Sequence, residues 1–440
     1  MSSLSLEGLG SSTVFLLALE GKGSHNGVLD PRSNGQRPTT QYNGTAVETQ
    51  VSSKDQRSQP VGVIGGGQLA QMLALAARQM GIPLVVQAAA PTDPAVAVAD
   101  GVVWGSTADS QATAQLLERC PVVTFENEFI PLPELKKLDP EGSRFRPSLS
   151  TLEPLLDKLH QRQFLARLGL PVPTFFPLEA VLDSADLAGL GFPVVLKRRR
   201  QGYDGQGTRI LHERAALQQA LSQSEGIPLL LEEWIPFERE LAVMVARGLK
   251  GEIRVYPVVE TVQIEQICRH VLVPARIPPT TEAEIRRLAA DLMEKLGAVG
   301  VFGIELFWVP PPHPKAGIWI NEISPRVHNS GHYTLEACHT SQFEQHLRAI
   351  LGLPLGDPSL KCAGAVMVNL LGYEHATGDY PEKRQRLAQL PNATVHWYHK
   401  TPARPGRKLG HVTVCLPTAP SPFEAAALVR TLESLWYPQP

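Results

Sequence analysis

Residues Val301–Ile323 read VFGIELFWVPPPHPKAGIWINEI. Apolar residues dominate both ends, and four prolines crowd Val309–Ala316 between them. The pattern predicts strands at Val301–Trp308 and Gly317–Ile323, folded back on one another across that loop. Glu305 and Glu322 are equidistant from the loop midpoint between His313 and Pro314. Equidistant residues of an antiparallel hairpin stand opposite one another on one face. Two carboxylates so placed repel unless a cation lies between them. Mg²⁺ favours carboxylate and phosphate oxygens, so the pair reads as a metal clamp, with the Asn321 amide oxygen as a neutral addition. Phe302, Ile304, Leu306 and Ile320 beside the acids argue against a merely solvated edge hairpin.

Upstream, Pro193–Lys197 (PVVLK) predicts a buried strand that runs into KRRRQGYDGQGT, Lys197–Thr208. Gly202, Gly205 and Gly207 let the backbone fold over phosphates without Cβ clashes. Lys197 at the strand end reaches phosphate as a point charge. The Walker spacing G-x-x-x-x-G-K-[ST] is absent, so this is not a P-loop. A helix is predicted at Lys158–Leu168, a strand at Pro228–Trp234 ending in acids, and an amphipathic helix at Glu282–Leu296.

Further upstream, Val61–Ile64 (VGVI) predicts a short buried strand. Gly65, Gly66 and Gly67 form a turn into a helix over Gln68–Met80, which Gly81 ends. Strands at Leu84–Gln87 and Pro121–Phe125 complete a pattern expected of an open parallel sheet. The turn matches G-x-G-x-x-A and points N–H groups at an anion. A dinucleotide site needs an acid at the end of the second strand, where Gln87 stands, so NAD and FAD are disfavoured. Another anion, or a purely structural turn, remains open.

After residue 355 come strands at Ala363–Leu371, Thr394–Tyr398 and His411–Leu416, a basic loop Arg404–His411 (RPGRKLGH), and a helix over Pro422–Ser434. Residues 1–58 read as a disordered extension, the stretch Gly21–Gln59 being rich in Ser, Gly, Asn, Gln and Thr. Three folded regions are expected, at 59–155, 156–354 and 355–440.

Of 440 residues, 43% are hydrophobic, enough for several cores. The 41 basic and 43 acidic residues leave a net charge of −2, without the basic excess of a nucleic-acid binder. No apolar run approaches the ~20 residues that span a bilayer. Val14–Leu19 is too short, and wrongly flanked, for a signal peptide. The five cysteines are scattered without a CxxC pair, which suggests neither a zinc site nor a disulfide framework.

The ordered set of strand Lys197, glycine loop, acidic linker and Glu305…Asn321-Glu322 resembles the ATP-grasp superfamily. Four stretches are similar to the N5-carboxyaminoimidazole ribonucleotide synthase family: Gly65–Met72 (GGGQLAQM), Gly202–Gly207 (GYDGQG), Asn321–His332 (NEISPRVHNSGH) and Arg404–His411. The resemblance covers roughly residues 60–420 and leaves out the tail. It implies an α/β and α+β multidomain chain: a Rossmann-like pre-ATP-grasp domain, an ATP-grasp domain and a small β-rich C-terminal domain.

The resemblance also implies roles. ATP is expected between two sheets, with Lys158 and Lys197 near its phosphates and Gly202, Tyr203, Asp204, Gly205, Gln206, Gly207 and Thr208 over them. Glu232, Glu233, Trp234 and Ile235 are expected at adenine, Glu240 at the ribose, and Gln263, Asn321 and Glu322 also at ATP. Mg²⁺ is expected on Glu305 and Glu322. The 5-aminoimidazole ribonucleotide is expected against Gly67, Gln68, Leu69, Tyr203, Arg326, His328, Asn329, Ser330, Arg404, Arg407 and Lys408, with Glu126 and Glu128 as the two strand-end acids near it. His328 and His332 read as hydrogen-bonding groups rather than zinc ligands. Asp204, Arg326 and Lys408 are the expected catalytic residues, Arg326 holding bicarbonate or carboxyphosphate and the others handling protons. The expected reaction joins ATP, bicarbonate and the ribonucleotide in a cytoplasmic homodimer of purine biosynthesis, with the Gly202–Gly207 loop closing as a lid. The chain departs from the family pattern at three ATP positions: Thr208 stands where Gln is frequent, Gln263 where His is, and Lys158 where Arg is. The alternatives are another ATP-grasp carboxylase or ligase, which lacks the ribonucleotide stretches, and a non-catalytic nucleotide-binding protein, which has no need of the carboxylate pair.

Overall fold

The computed structural model describes residues 59–178, 190–200, 202, 207–224 and 226–438. The first sheet is β1 (Val61–Ile64), β2 (Leu84–Ala88), β3 (Gly101–Trp104) and β4 (Val122–Phe125), all parallel in the order β3-β2-β1-β4. The order reverses at β1, so the crevice beyond β1 and β4 is a switch point where such sheets take ligands. The Gly65–Gly67 turn and Glu126–Glu128 both emerge there. Gly81 caps the helix Gln68–Met80 with a left-handed φ of 69°, as a C′ glycine does.

The second sheet is antiparallel: β5 (Phe175–Pro177), β6 (Val194–Arg198), β7 (Thr208–Leu211) and β8 (Leu229–Glu233), in the order β5-β8-β6-β7. The third has nine strands: β9 (Arg239–Arg247), β10 (Ile253–Val255), β11 (Val259–Ile264), β12 (Ile267–Val273), β13 (Gly300–Val309), β14 (Gly317–Ser324), β15 (Gly364–Leu371), β16 (Ala393–Trp397) and β17 (Lys408–Leu416). Its main path is β14-β13-β9-β11-β12-β15-β17-β16, with β10 on β9. The C-terminal strands therefore continue this sheet through the β12–β15 pairing. Arg404–His411, expected to be a loop throughout, is strand from Lys408 onward. Leu409, Gly410 and His411 are buried, and Gly410 and His411 pair with β15, which no exposed basic loop would do.

The helix Pro279–Leu296 buries Ile285, Leu288, Ala289, Leu292 and Met293, one stripe at helical spacing, beneath β9, β13 and β14. Each large apolar side chain so buried contributes about 1.5–3 kcal/mol. The helix Gln342–Ile350 packs against Gln68–Met80 in a shared core, which ties the first sheet to the third. His346 adds a polar tie: its Nδ1 accepts from Val301 N–H at 3.0 Å, and its Nε2 lies 2.8 Å from Thr124 Oγ1. No helix among the described residues is long and apolar enough to cross a membrane.

Candidate active site

The three sheets enclose a cleft of about 1100 Å³. The β13–β14 hairpin forms one wall. Phe302, Ile304, Leu306 and Trp308 face the core, while Glu305 and Phe307 alternate with them and line the cleft. Glu305 pairs with Glu322 in register, as the symmetric count predicts. The register is not uniform, however. Val309 pairs with Gly317 and Leu306 with Ile320, so a bulge at Asn321 intervenes before Glu305 meets Glu322. In a regular strand Asn321 and Glu322 would face opposite ways. With the bulge, Ile320 and Ile323 both enter the core, and Asn321 and Glu322 both line the cleft.

Charge divides unequally across the pair. Burial opposes ionisation of Glu322, but Lys158, paired to it from the helix Lys158–Arg167, holds its carboxyl below the usual range. Burial and the Glu322 charge push Glu305 up to about 7. Asn321 Nδ2 donates to Glu305 Oε2 at 3.3 Å, and His328 Nε2 lies 3.6 Å from Glu305 Oε1. Two carboxylates that face and repel one another are a donor set that suits a hard divalent cation. His328 gets this close because it packs directly on Gly303; a Cβ there would meet the His328 Cβ at 2.6 Å.

Lys197, on β6, faces the hairpin from the second sheet. Its Nζ donates to Asn321 Oδ1 at 3.0 Å and pairs with Glu232 Oε2 at 2.6 Å. Glu232 Oε1 in turn takes Arg162 Nε at 2.6 Å. Burial alone would raise the Glu232 carboxyl, but Arg162 and Lys197 outweigh it and hold it at about 2. The Glu232 side chain is thus a buried anchor between two cations, leaving only its backbone to a ligand at β8.

Beyond β8, Glu233, Trp234, Ile235 and Phe237 line the cleft. The Phe237 ring stacks on Phe307 at 4.5 Å and 8°, a flat apolar wall. Glu240 on β9 lies beside Glu305; burial and that charge push it up to about 7, and Gln263 hydrogen-bonds it. Gly202, Gly207 and Thr208 line the same end. Tyr203, Asp204, Gly205 and Gln206 lie outside the described residues, as does the extension expected at 1–58.

At the other end stand Gln68, Leu69, Glu126, Glu128, Arg326, His328, Asn329 and Lys408. The glycine turn accommodates Glu126: a Cβ on Gly67 would lie 2.2 Å from its Oε1. Glu128 pairs with Arg326 at 3.0 Å, overcoming the effect of burial and keeping the guanidinium charged. Asn329 and Asn369 exchange amide hydrogen bonds at 3.0 and 2.8 Å. Gln342 holds the His328 backbone at both its N–H and its carbonyl. Gly67, Ser330, Arg404 and Arg407 do not line the cleft wall. Ser330 is buried behind it; Arg404 is exposed, and Arg407 bonds Pro402 O at 2.6 Å and lies within electrostatic reach of Asp93, beside Gly66.

Residues 58–153 match the ribonucleotide synthetase preATP-grasp domain, 163–343 the ATP-grasp domain, and 365–421 the phosphoribosylaminoimidazole carboxylase C-terminal domain. The N5-carboxyaminoimidazole ribonucleotide synthase of Synechococcus elongatus is 53% identical over 382 residues, 86% of this chain and 95% of that protein. The chain belongs to the N5-carboxyaminoimidazole ribonucleotide synthase family. Two Aspergillus clavatus structures of such synthases are similar. The one complexed with ATP has TM-score 0.78 and 35% identity, and covers 86% of this chain and 98% of its own. The one in complex with ADP and 5-aminoimidazole ribonucleotide has TM-score 0.75 and 34% identity, and covers 86% and 99%.

Where this synthase departs from the family pattern, the substitutes have partners. Lys158 pairs with Glu322, Gln263 bonds Glu240, and Thr208 stands opposite Lys197 in the β6–β7 register. Sequence reasoning passed over Arg162, Phe237, Phe307, Gln342 and Asn369. Phe307 alone carried a local signal, sharing the face of Glu305 two residues away.

Proposed function

We propose that this chain carboxylates the exocyclic amine of 5-aminoimidazole ribonucleotide, taking the carboxyl group from bicarbonate and cleaving ATP to ADP and phosphate. The observation that carries the reading is the facing of Lys197, Asn321, Glu305 and Glu322 across one cleft that also holds Arg326 and Lys408. The first group serves a nucleotide triphosphate, the second an anionic co-substrate.

Adenine would lie against Phe237 and Phe307, with its polar edge toward the backbone of Glu232–Ile235 and its ribose toward Glu240. Lys158 and Lys197 would face the phosphates, fixed respectively by Glu322 and by the Arg162–Glu232 anchor. Glu305 and Glu322, with Asn321 beside them, would hold Mg²⁺, which would supply charge neutralisation for the transferring phosphoryl group. A bicarbonate oxygen attacks the γ-phosphorus and ADP leaves, forming carboxyphosphate. Such transfers depend on positioning and electrostatics more than on covalent help. Arg326, held by Glu128, would retain the bicarbonate and then the carboxyphosphate. The amine takes the carboxyl carbon, phosphate leaves, and the amine proton passes to a nearby base; Lys408 and Asp204 are the proposed proton-handling groups. Arg404 and Arg407 would meet the ribonucleotide phosphate from beside the first glycine turn. We place the enzyme in the cytoplasm as a homodimer on the family pattern, with Gly202–Gly207 as the lid.

ADP release is measured with Mg-ATP and bicarbonate, with and without 5-aminoimidazole ribonucleotide. The proposal requires release that depends on the ribonucleotide. Release indifferent to it points to another ATP-grasp ligase, and no release points to a non-catalytic binder.

A further inference from the structure

Behind the substrate end of the cleft lies a cluster that the proposed reaction does not use. β16 and β17 pair His396 directly with His411, and the two rings stack at 4.5 Å and 14°. Glu336, on the short helix Thr334–Ala337, reaches over them, its Oε1 lying 2.6 Å from His396 Nε2. One ligand atom from each of the three residues lies within 4.8 Å of the others. His332 closes the inner side, its ring 4.8 Å from that of His411.

Several atoms here lack the partners that burial demands. His411 is wholly buried, and its Nδ1 is taken by Tyr398 Oη at 2.7 Å. Its Nε2 has no hydrogen-bond partner among the described residues, nor has Glu336 Oε2. A metal-binding imidazole commonly donates its other N–H to an oriented acceptor, as Nδ1–H to Tyr398 Oη would here. His396 and Glu336 keep partial exposure, which leaves an entry path from their side.

We propose that Glu336, His396 and His411 form a second metal site, apart from Glu305 and Glu322, for a divalent cation of the Zn²⁺ class. Two imidazoles and a carboxylate suit zinc far better than magnesium. The 2.6 Å contact between Glu336 and His396 is the hydrogen bond whose proton the cation replaces, so loading releases a proton. The site sits at the base of β17, three residues from Lys408, so a bound ion would brace the strand that carries that lysine into the cleft.

The test uses the full chain carrying Glu305→Gln, which removes the other carboxylate site. The protein is stripped with a chelator and dialysed against Zn²⁺ in excess Mg²⁺, and its metal content is measured. Retention of about one Zn²⁺ per chain is expected. Adding His396→Ala or Glu336→Gln, both at partly exposed positions, should weaken retention by more than ~10-fold, and Tyr398→Phe by ~10-fold. Co²⁺ in place of Zn²⁺ should give visible absorption that His396→Ala abolishes. Circular dichroism confirms that each variant is folded. No retained Zn²⁺ in the folded parent, or retention unchanged by His396→Ala and Glu336→Gln, overturns the proposal and leaves the cluster a hydrogen-bonded brace.

Discussion

Lys197 Nζ and Asn321 Oδ1 lie 3.0 Å apart, and this contact joins the four-stranded antiparallel sheet to the nine-stranded one. Each partner is held from behind: Lys197 by Glu232, and Asn321 by the bulge that turns it into the cleft. Lys197 and the Glu305–Glu322 hairpin are thus positioned against each other across the cleft.

Glu232→Gln tests the anchor. Removing the charge leaves Arg162 and Lys197 buried without their counter-ion, which costs roughly 3–5 kcal/mol in such settings. Urea unfolding at neutral pH should show that loss, and the KM for ATP should rise as Lys197 loses its support. The Glu232 carboxyl falls from an ordinary 4.5 to about 2 in the folded chain. Its contribution is therefore complete above pH 4.5 and lost as pH falls toward 2, so parent and variant should converge in that window. Equal stability at neutral pH contradicts the anchor.

With Glu305 as a proposed Mg²⁺ ligand, metal affinity should depend on pH. Without a cation its carboxyl sits at about 7, so below that pH a proton occupies the site that Mg²⁺ needs. Affinity for Mg²⁺ with ADP should rise roughly tenfold from pH 6 to pH 8 and level off above. Calorimetric titration reads this directly. Glu305→Gln should bind weakly at both pH values with a much flatter profile; a flat profile in the parent would show that Glu305 is not a ligand.

Lys408→Ala separates the two ends of the cleft. It should raise the KM for the ribonucleotide at least ~10-fold, as expected for losing a charge-assisted contact. The KM for ATP should change little. The reverse pattern would move Lys408 to the nucleotide.

The hairpin carboxylates were legible because two apolar strands flank a proline-rich loop, and Lys197 because a strand ran straight into glycines. The bulge was not. One inserted residue shifts the register from a sum of 626 (Val309 with Gly317) to 627 (Glu305 with Glu322), and nothing in the letters of Asn321 marks it. Arg162 sits on a weakly amphipathic helix and reads as a surface residue until Glu232, seventy positions on, is folded against it. Phe237 and Phe307 meet only because β9 pairs with β13 far along the chain. Lys408 read as loop because its basic neighbours masked the strand that begins there.

The most direct measurement of the central claim follows bicarbonate oxygen. With ¹⁸O-bicarbonate, Mg-ATP and 5-aminoimidazole ribonucleotide, attack on the γ-phosphorus carries one labelled oxygen into phosphate. Mass spectrometry of the phosphate, before bicarbonate exchanges with water, should show one ¹⁸O per turnover. Glu322→Gln should release neither ADP nor labelled phosphate. Ribonucleotide-dependent ADP release with unlabelled phosphate would contradict the account.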